Sequence, residues 1–101
     1  MEPLSKELAD KIIAGIKAVD GVADMHSGRF GEVVTLYPGG RISGLRLREY
    51  PHTGETRCEV YIVADLAATP SLNQVTDSVR SVVSQYLTCP VDITVADAVA
   101  A

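Results

Sequence analysis

Few residues in this sequence have the types and spacing that catalysis requires. Nucleophilic catalysis needs a nucleophile, a base within hydrogen-bonding distance and a group that orients the base. The two histidines, His26 and His52, both fall in segments of polar loop composition, and no serine occupies a Gly-x-Ser-x-Gly turn. The sequence therefore predicts a protein that is not an enzyme.

Two glutamates could in principle form an acid–base pair. Glu49 and Glu59 lie on neighbouring predicted strands, but a glycosidase-type pair must aim both carboxylates at one bond. Arg46, Arg48 and Arg57 accompany them in the sequence, so a cross-strand ladder of opposite charges is the better interpretation. The aspartates are scattered, and we expect neither a metal nor a cofactor.

The two cysteines, Cys58 and Cys89, are 31 positions apart and lack the Cys-x-x-Cys or Cys/His spacing of a zinc site. Cys58 falls on the inward face of its predicted strand, where it would pack as a small hydrophobic residue. Cys89 follows a predicted helix and is expected to be partly exposed. The topology permits a disulfide between them, but a reducing cytosol disfavours it.

Length and composition predict one domain over residues 1–101, with an ordered core at about 5–97. The 101 residues are 47% hydrophobic and 22% charged, which is a globular balance, and they include no Trp. The formal net charge of −4 repels phosphate backbones at long range, so binding to nucleic acid is not expected as a general property.

Nothing in the sequence resembles a membrane-targeting segment. The first six residues contain no apolar core of signal-peptide length, and no stretch approaches the roughly 20 apolar residues that cross a bilayer. We therefore expect a cytoplasmic protein without a direct membrane span. Any contact with a membrane would run through a partner or through a surface.

Apolar periodicity predicts two amphipathic helices. The first covers about residues 5–19, with Leu8, Ile12 and Ile16 on one stripe, and Asp20-Gly21 ends it. The second begins at Thr69-Pro70, because threonine caps free backbone N–H groups and proline is well tolerated at the first helical position. It is expected to run to about residue 87.

Alternating apolar and polar residues predict the strands. Residues 41–50 and 56–65 form the clearest hairpin, around a turn at 51–55, and residues 91–95 form a last strand. A short strand is expected within 32–37, before the turn at Pro38-Gly39-Gly40. A further short strand at 22–25 is an alternative to a simple reversal of the chain.

These elements predict an α+β fold of order α-β-β-β-α-β. The economical arrangement is a two-layer sandwich in which both helices pack on one face of a three- to four-stranded mixed sheet. The connection from strand 56–65 through the second helix to strand 91–95 is a crossover, which is right-handed if the two strands are parallel.

The opposite sheet face is predicted to carry the candidate partner-binding residues Arg46, Arg48, Tyr50, Arg57 and Tyr61. Three uses of such a face are open: a plain solvated surface, a protein-contact surface, or a platform for nucleic acid. Arginine and tyrosine are enriched in protein interfaces. Basic and aromatic residues on an open sheet also bind RNA, although neighbouring glutamates dilute the positive charge.

Several stretches, taken in order, resemble the alkaline-shock protein family of bacterial envelope-stress proteins. Residues 12–16 and 19–22 are similar to that family's opening helix and its exit. Residues 59–65, with the sequence EVYIVAD, match a strand, and residues 69–72 open a helix with valines at helical spacing. Residues 91–95, with the sequence VDITV, match the last strand.

The resemblance covers about residues 8–97, with two departures. Residues 26–57 match only as a variable region that leads into a strand. Thr88-Cys89-Pro90 replaces the glycine expected between the second helix and the last strand. These departures concern partner specificity more than the fold.

The resemblance implies a cytoplasmic, non-enzymatic protein that lies near the membrane through a membrane-anchored partner. It also implies a role in envelope homeostasis or stress tolerance and a tendency to form homo-oligomers, with no catalytic residues to assign. The alternative function is that of an RNA-binding or ribosome-associated accessory domain, which would use the same sheet face with its arginines and tyrosines.

Overall fold

Two helices and six strands make up the part of the chain that the computed structural model describes, residues 4–68 and 71–100. In chain order they are α1 (Lys6–Lys17), β1 (Val22–Met25), β2 (Val34–Tyr37), β3 (Gly40–Ser43), β4 (Leu45–Tyr50), β5 (Glu55–Asp65), α2 (Leu72–Ser84) and β6 (Val91–Val99).

Both helices begin at serine caps and bury one apolar stripe. The Ser5 hydroxyl accepts a hydrogen bond from the Leu8 N–H at 3.1 Å, and the Ser71 hydroxyl accepts one from the Gln74 N–H at 3.5 Å. The predicted helices are therefore confirmed, but the start assigned to Thr69-Pro70 lies outside the described residues. Neither helix in the described ranges is long and apolar enough to span a bilayer.

Strand β5 is the centre of a four-stranded mixed sheet. Strand β6 pairs with it in parallel along residues 58–65, which occupies one edge. On the other edge, β4 pairs antiparallel with residues 55–60, and β1 pairs antiparallel with residues 62–64. Strands β1 and β4 therefore lie end to end along the same edge of β5. The predicted hairpin and the parallel crossover through α2 are both present.

The structure contains more strands than the predicted order, because residues 34–43 form a separate antiparallel hairpin of β2 and β3. Pro38 and Gly39 close its two-residue turn, with Gly39 at a φ of +80°. A second break occurs at Gly44, whose φ of +87° separates β3 from β4 within the segment predicted as one strand.

One hydrophobic core joins both helices to one face of the main sheet. It is lined by residues of α1, α2, β4, β5 and β6, among them Ala9, Ile12, Ile16, Leu45, Cys58, Val60, Ile62, Val75, Val79, Val83 and Val91. No polar or charged residue is fully buried in the described ranges. The two-layer α+β arrangement is confirmed, and the helices leave the other sheet face uncovered.

Candidate interaction surface

The uncovered sheet face, here called the open face, carries alternate residues of three strands: Arg46, Arg48, Tyr50, Glu55, Arg57, Glu59, Tyr61, Asp92 and Thr94. The sheet register places Arg46 opposite Glu59, Arg48 opposite Arg57, and Glu59 beside Asp92. Alternation along the strands thus brings all five predicted site residues to one face, away from the helices.

Arg46 is held by contacts within the protein. Its Nε donates a hydrogen bond to the Glu59 carboxylate, and its Nη1 donates to the backbone carbonyl of Glu32 at 2.6 Å. The Glu59 side chain is only 12% exposed. Arg46 therefore joins β4 to β5 and to the segment before β2, and its side chain is only 25% exposed.

Arg57 is also neutralised within the sheet. Its Nε and Nη2 bind both carboxylate oxygens of Asp92 at 2.6 and 2.7 Å, and Nη1 binds Glu55 at 2.7 Å. This two-point hydrogen bonding raises the pKa of Arg57 and lowers the pKa of Asp92. The contact fixes β6 against β5, so Arg57 contributes to the sheet more than to a free surface.

Arg48 is the most exposed of the predicted residues, and it contacts the half-buried Tyr50. The Arg48 side chain is 52% exposed, and its Nη1 lies 3.7 Å from the Glu59 carboxylate. Its guanidinium carbon lies 5.2 Å from the centre of the Tyr50 ring, a cation–π arrangement. The pair presents a planar cation and an aromatic ring together at the β4 side of the open face.

A loop covers the other end of the open face. Residues 26–32 and β6 line a groove of about 780 Å³ together with Tyr61, which is partly buried there. The loop is anchored by a hydrogen bond of 2.9 Å from the His26 N–H to the Tyr61 carbonyl oxygen. Phe30 at its tip is 85% exposed, and the Arg29 guanidinium carbon lies 5.7 Å from its ring centre.

No sequence pattern assigned this loop to the site. Its only signal was an aromatic residue among glycines, Phe30 between Gly28 and Gly31, which local patterns do not assign to a sheet face. Asp92 was also missed as a partner of Arg57, although its alternation with Ile93 placed it on the open face. Pairing over 35 positions depends on the crossover, which no local pattern encodes.

The two histidines, His26 and His52, lie in separate surroundings. His26 lines the groove, and its Nδ1 accepts a hydrogen bond from the Gly28 N–H at 3.0 Å, so that nitrogen is occupied. His52 lies exposed in the turn between β4 and β5. Among residues 4–68 and 71–100, no three His, Cys, Asp or Glu side chains are grouped closely enough to hold a metal.

Comparison of the chain with models of known protein families, with curated proteins and with solved structures found no match. The similarity to the alkaline-shock family remains a hypothesis from the sequence.

Proposed function

We propose that this protein is a non-enzymatic interaction module of the alkaline-shock type. It binds a membrane-anchored protein from the cytoplasmic side and serves envelope homeostasis or stress tolerance. The observation that supports the proposal most strongly is the contact of the exposed Arg48 guanidinium with the half-buried Tyr50 ring, on a sheet face that neither helix covers.

The arrangement of this pair favours recognition of another protein. Tyrosine and arginine supply large, directional contacts, and such residues dominate the binding energy of many interfaces. The Arg48 guanidinium lies 3.7 Å from the Glu59 carboxylate and packs against the Tyr50 ring, with 5.2 Å from its central carbon to the ring centre. Less side-chain freedom is lost on binding when the contact groups are already positioned.

The charge distribution favours a protein over RNA. Single-stranded RNA binds grooves of unpaired positive charge with aromatic platforms. Here the carboxylates of Glu55, Glu59 and Asp92 contact the arginines of the open face, and the whole chain carries a net charge of −4. The RNA-binding alternative therefore lacks the excess of positive charge that it requires.

Self-association belongs to the same proposal. The outer edge of β6 has no strand partner within residues 4–68 and 71–100, and such an edge can pair with a second copy. The open face offers another route, because it presents tyrosine and arginine that a second copy could contact.

The test compares two matched double variants in affinity recovery of the membrane-anchored partner. Arg48→Ala with Tyr50→Ala removes the Arg48–Tyr50 contact of the open face. Arg80→Ala with Tyr86→Ala removes the same residue types from the opposite layer, where the Arg80 side chain is 48% exposed and Tyr86 is 41% exposed. We expect at least a tenfold loss of partner recovery for the first variant only, which corresponds to about 1.4 kcal/mol or more.

Undiminished recovery of the partner by both double variants would show that the open face does not bind it. Loss in both would indicate an effect of folding, which circular dichroism of each variant would reveal. Recovery of RNA in place of a protein, with a steep dependence on salt, would favour the alternative function.

A further inference from the structure

The two cysteines lie near each other where the chain enters β6, although 31 positions separate them in the sequence. The Cys58 N–H donates a hydrogen bond of 2.8 Å to the carbonyl oxygen of Pro90, the residue directly after Cys89. Cys58 is also the register partner of Val91. The residue next to Cys89 in the sequence, Pro90, is therefore hydrogen-bonded to the backbone of Cys58.

Both side chains belong to the same apolar environment. Cys58 is fully buried in the core, and Cys89 is partly buried and packs against the same core from the segment between α2 and β6. Both are free thiols in this structure. One thiol is thus reachable by a small oxidant, while the other is sheltered beside it.

We propose that Cys89 is a site of reversible oxidation and that Cys58 resolves it as an intramolecular disulfide. The oxidant is a peroxide. This disulfide would link the two ends of the connection that contains α2, because it joins Cys58 in β5 to Cys89, just before β6.

The reaction balances with hydrogen peroxide as the only co-reactant. The Cys89 sulfur attacks one peroxide oxygen, the O–O bond breaks, and a sulfenic acid and one water are formed. The Cys58 sulfur then attacks the Cys89 sulfur, and the sulfenic oxygen leaves as a second water with the Cys58 proton. Two thiols are oxidised to one disulfide, and one peroxide is reduced to two waters.

The surroundings of the two thiols assign their roles. Burial raises the pKa of Cys58 to about 12, so it stays protonated and does not react first. Burial also raises the pKa of Cys89, and the nearby Arg57 guanidinium acts in the opposite direction. The reaction of Cys89 with peroxide is therefore expected to be slow compared with that of dedicated redox cysteines, and the protonated Cys58 can resolve the sulfenic acid only because both thiols lie in the same region of the core.

Peptide mapping of the intact protein after hydrogen peroxide treatment tests the proposal. Trypsin cleaves after Arg57 and after Arg80, which places Cys58 and Cys89 on different peptides, 58–80 and 81–101. We expect these peptides to be joined in monomeric wild-type protein, with the loss of two hydrogen atoms, and to separate on reduction. The oxidised form should also unfold at a temperature higher by about 5 °C or more.

Two variants separate the outcomes. Cys89→Ser should show neither the joined peptides nor the thermal shift. Cys58→Ala should retain a Cys89 sulfenic acid that dimedone traps, whereas wild type should give little adduct. Separate peptides in wild type, a Cys89 sulfinic acid as the main product, or a dimer joined through Cys89 would each overturn the proposal. This test does not depend on partner binding, so it can fail or succeed independently of the proposed function.

Discussion

Gly44→Ala is expected to lower the free energy of unfolding by about 3 kcal/mol, because the change adds backbone strain and a steric clash at one position. Gly44 has a φ of +87°. A Cβ atom there would lie 2.9 Å from the Tyr61 carbonyl oxygen and 3.0 Å from Met25. The Tyr61 carbonyl cannot easily move, because it accepts the His26 N–H at 2.9 Å.

The matched control is Gly39→Ala. Gly39 has a similar φ of +80°, but no atom lies within 4 Å of the position its Cβ would take. Its substitution should therefore cost about 1 kcal/mol, from backbone strain alone. Urea denaturation of both variants measures the difference. Equal losses would show that the contact between Gly44, Tyr61 and Met25 is looser than described.

Gly44 also connects the fold to the candidate site. Its N–H donates to the Val33 carbonyl at 2.7 Å, and its carbonyl accepts the Tyr61 N–H at 2.9 Å. At this point the strand that pairs with one edge of β5 changes from β4 to β1. The loop that lines the groove is attached at the same point. A side chain at position 44 should therefore disturb the groove as well as the sheet.

Gly15→Ala is expected to destabilise the protein by about 2 kcal/mol, although alanine is the better helix former by about 1 kcal/mol. A Cβ atom on Gly15 would lie 2.7 Å from Cγ1 of Val82 on the facing helix. Valine has one strongly preferred side-chain rotamer in a helix, so this methyl group cannot turn away easily. The clash between α1 and α2 should exceed the gain in helix propensity.

A double-mutant cycle of Gly15→Ala and Val82→Ala tests this prediction. With Val82→Ala in place, the nearest remaining atom, Cβ of residue 82, lies 4.0 Å away, which is an ordinary contact. Gly15→Ala should then stabilise the protein by about 1 kcal/mol, so the sign of its effect reverses. Thermal and urea unfolding of the four proteins measure the coupling. A destabilising effect in both backgrounds would exclude the proposed contact.

The parts of the fold that the sequence predicts correctly are those that local patterns determine. Spacing of Ile12 and Ile16 on α1, and of Val75 and Val79 on α2, identifies each helix and its buried stripe. Alternation in β4 and β5 assigns Leu45 and Val60 to the core and the arginines to the other face. The predicted charge ladder is present for Glu59, which contacts Arg46 and Arg48, whereas Glu49 lies opposite Thr56 on the other face of β4.

What the sequence did not predict depends on contacts between distant segments. The break at Gly44 follows from the close approach of Tyr61 and Met25, and periodicity within 41–50 does not encode it. The carbonyl of Glu32 reaches Arg46 only because the loop folds back over the sheet. Of the five predicted site residues, only Arg48 is exposed, and it contacts the half-buried Tyr50.

Site-specific photo-crosslinking in intact native cells tests the interaction surface most directly. A photoreactive residue replaces Tyr50 on the open face in one protein, and Tyr86 after α2 in the control. We predict a discrete adduct with a membrane-anchored protein from position 50 and none from position 86. An adduct from position 86 alone, or no protein adduct from position 50 while the protein is folded, would contradict the proposed role of the open face.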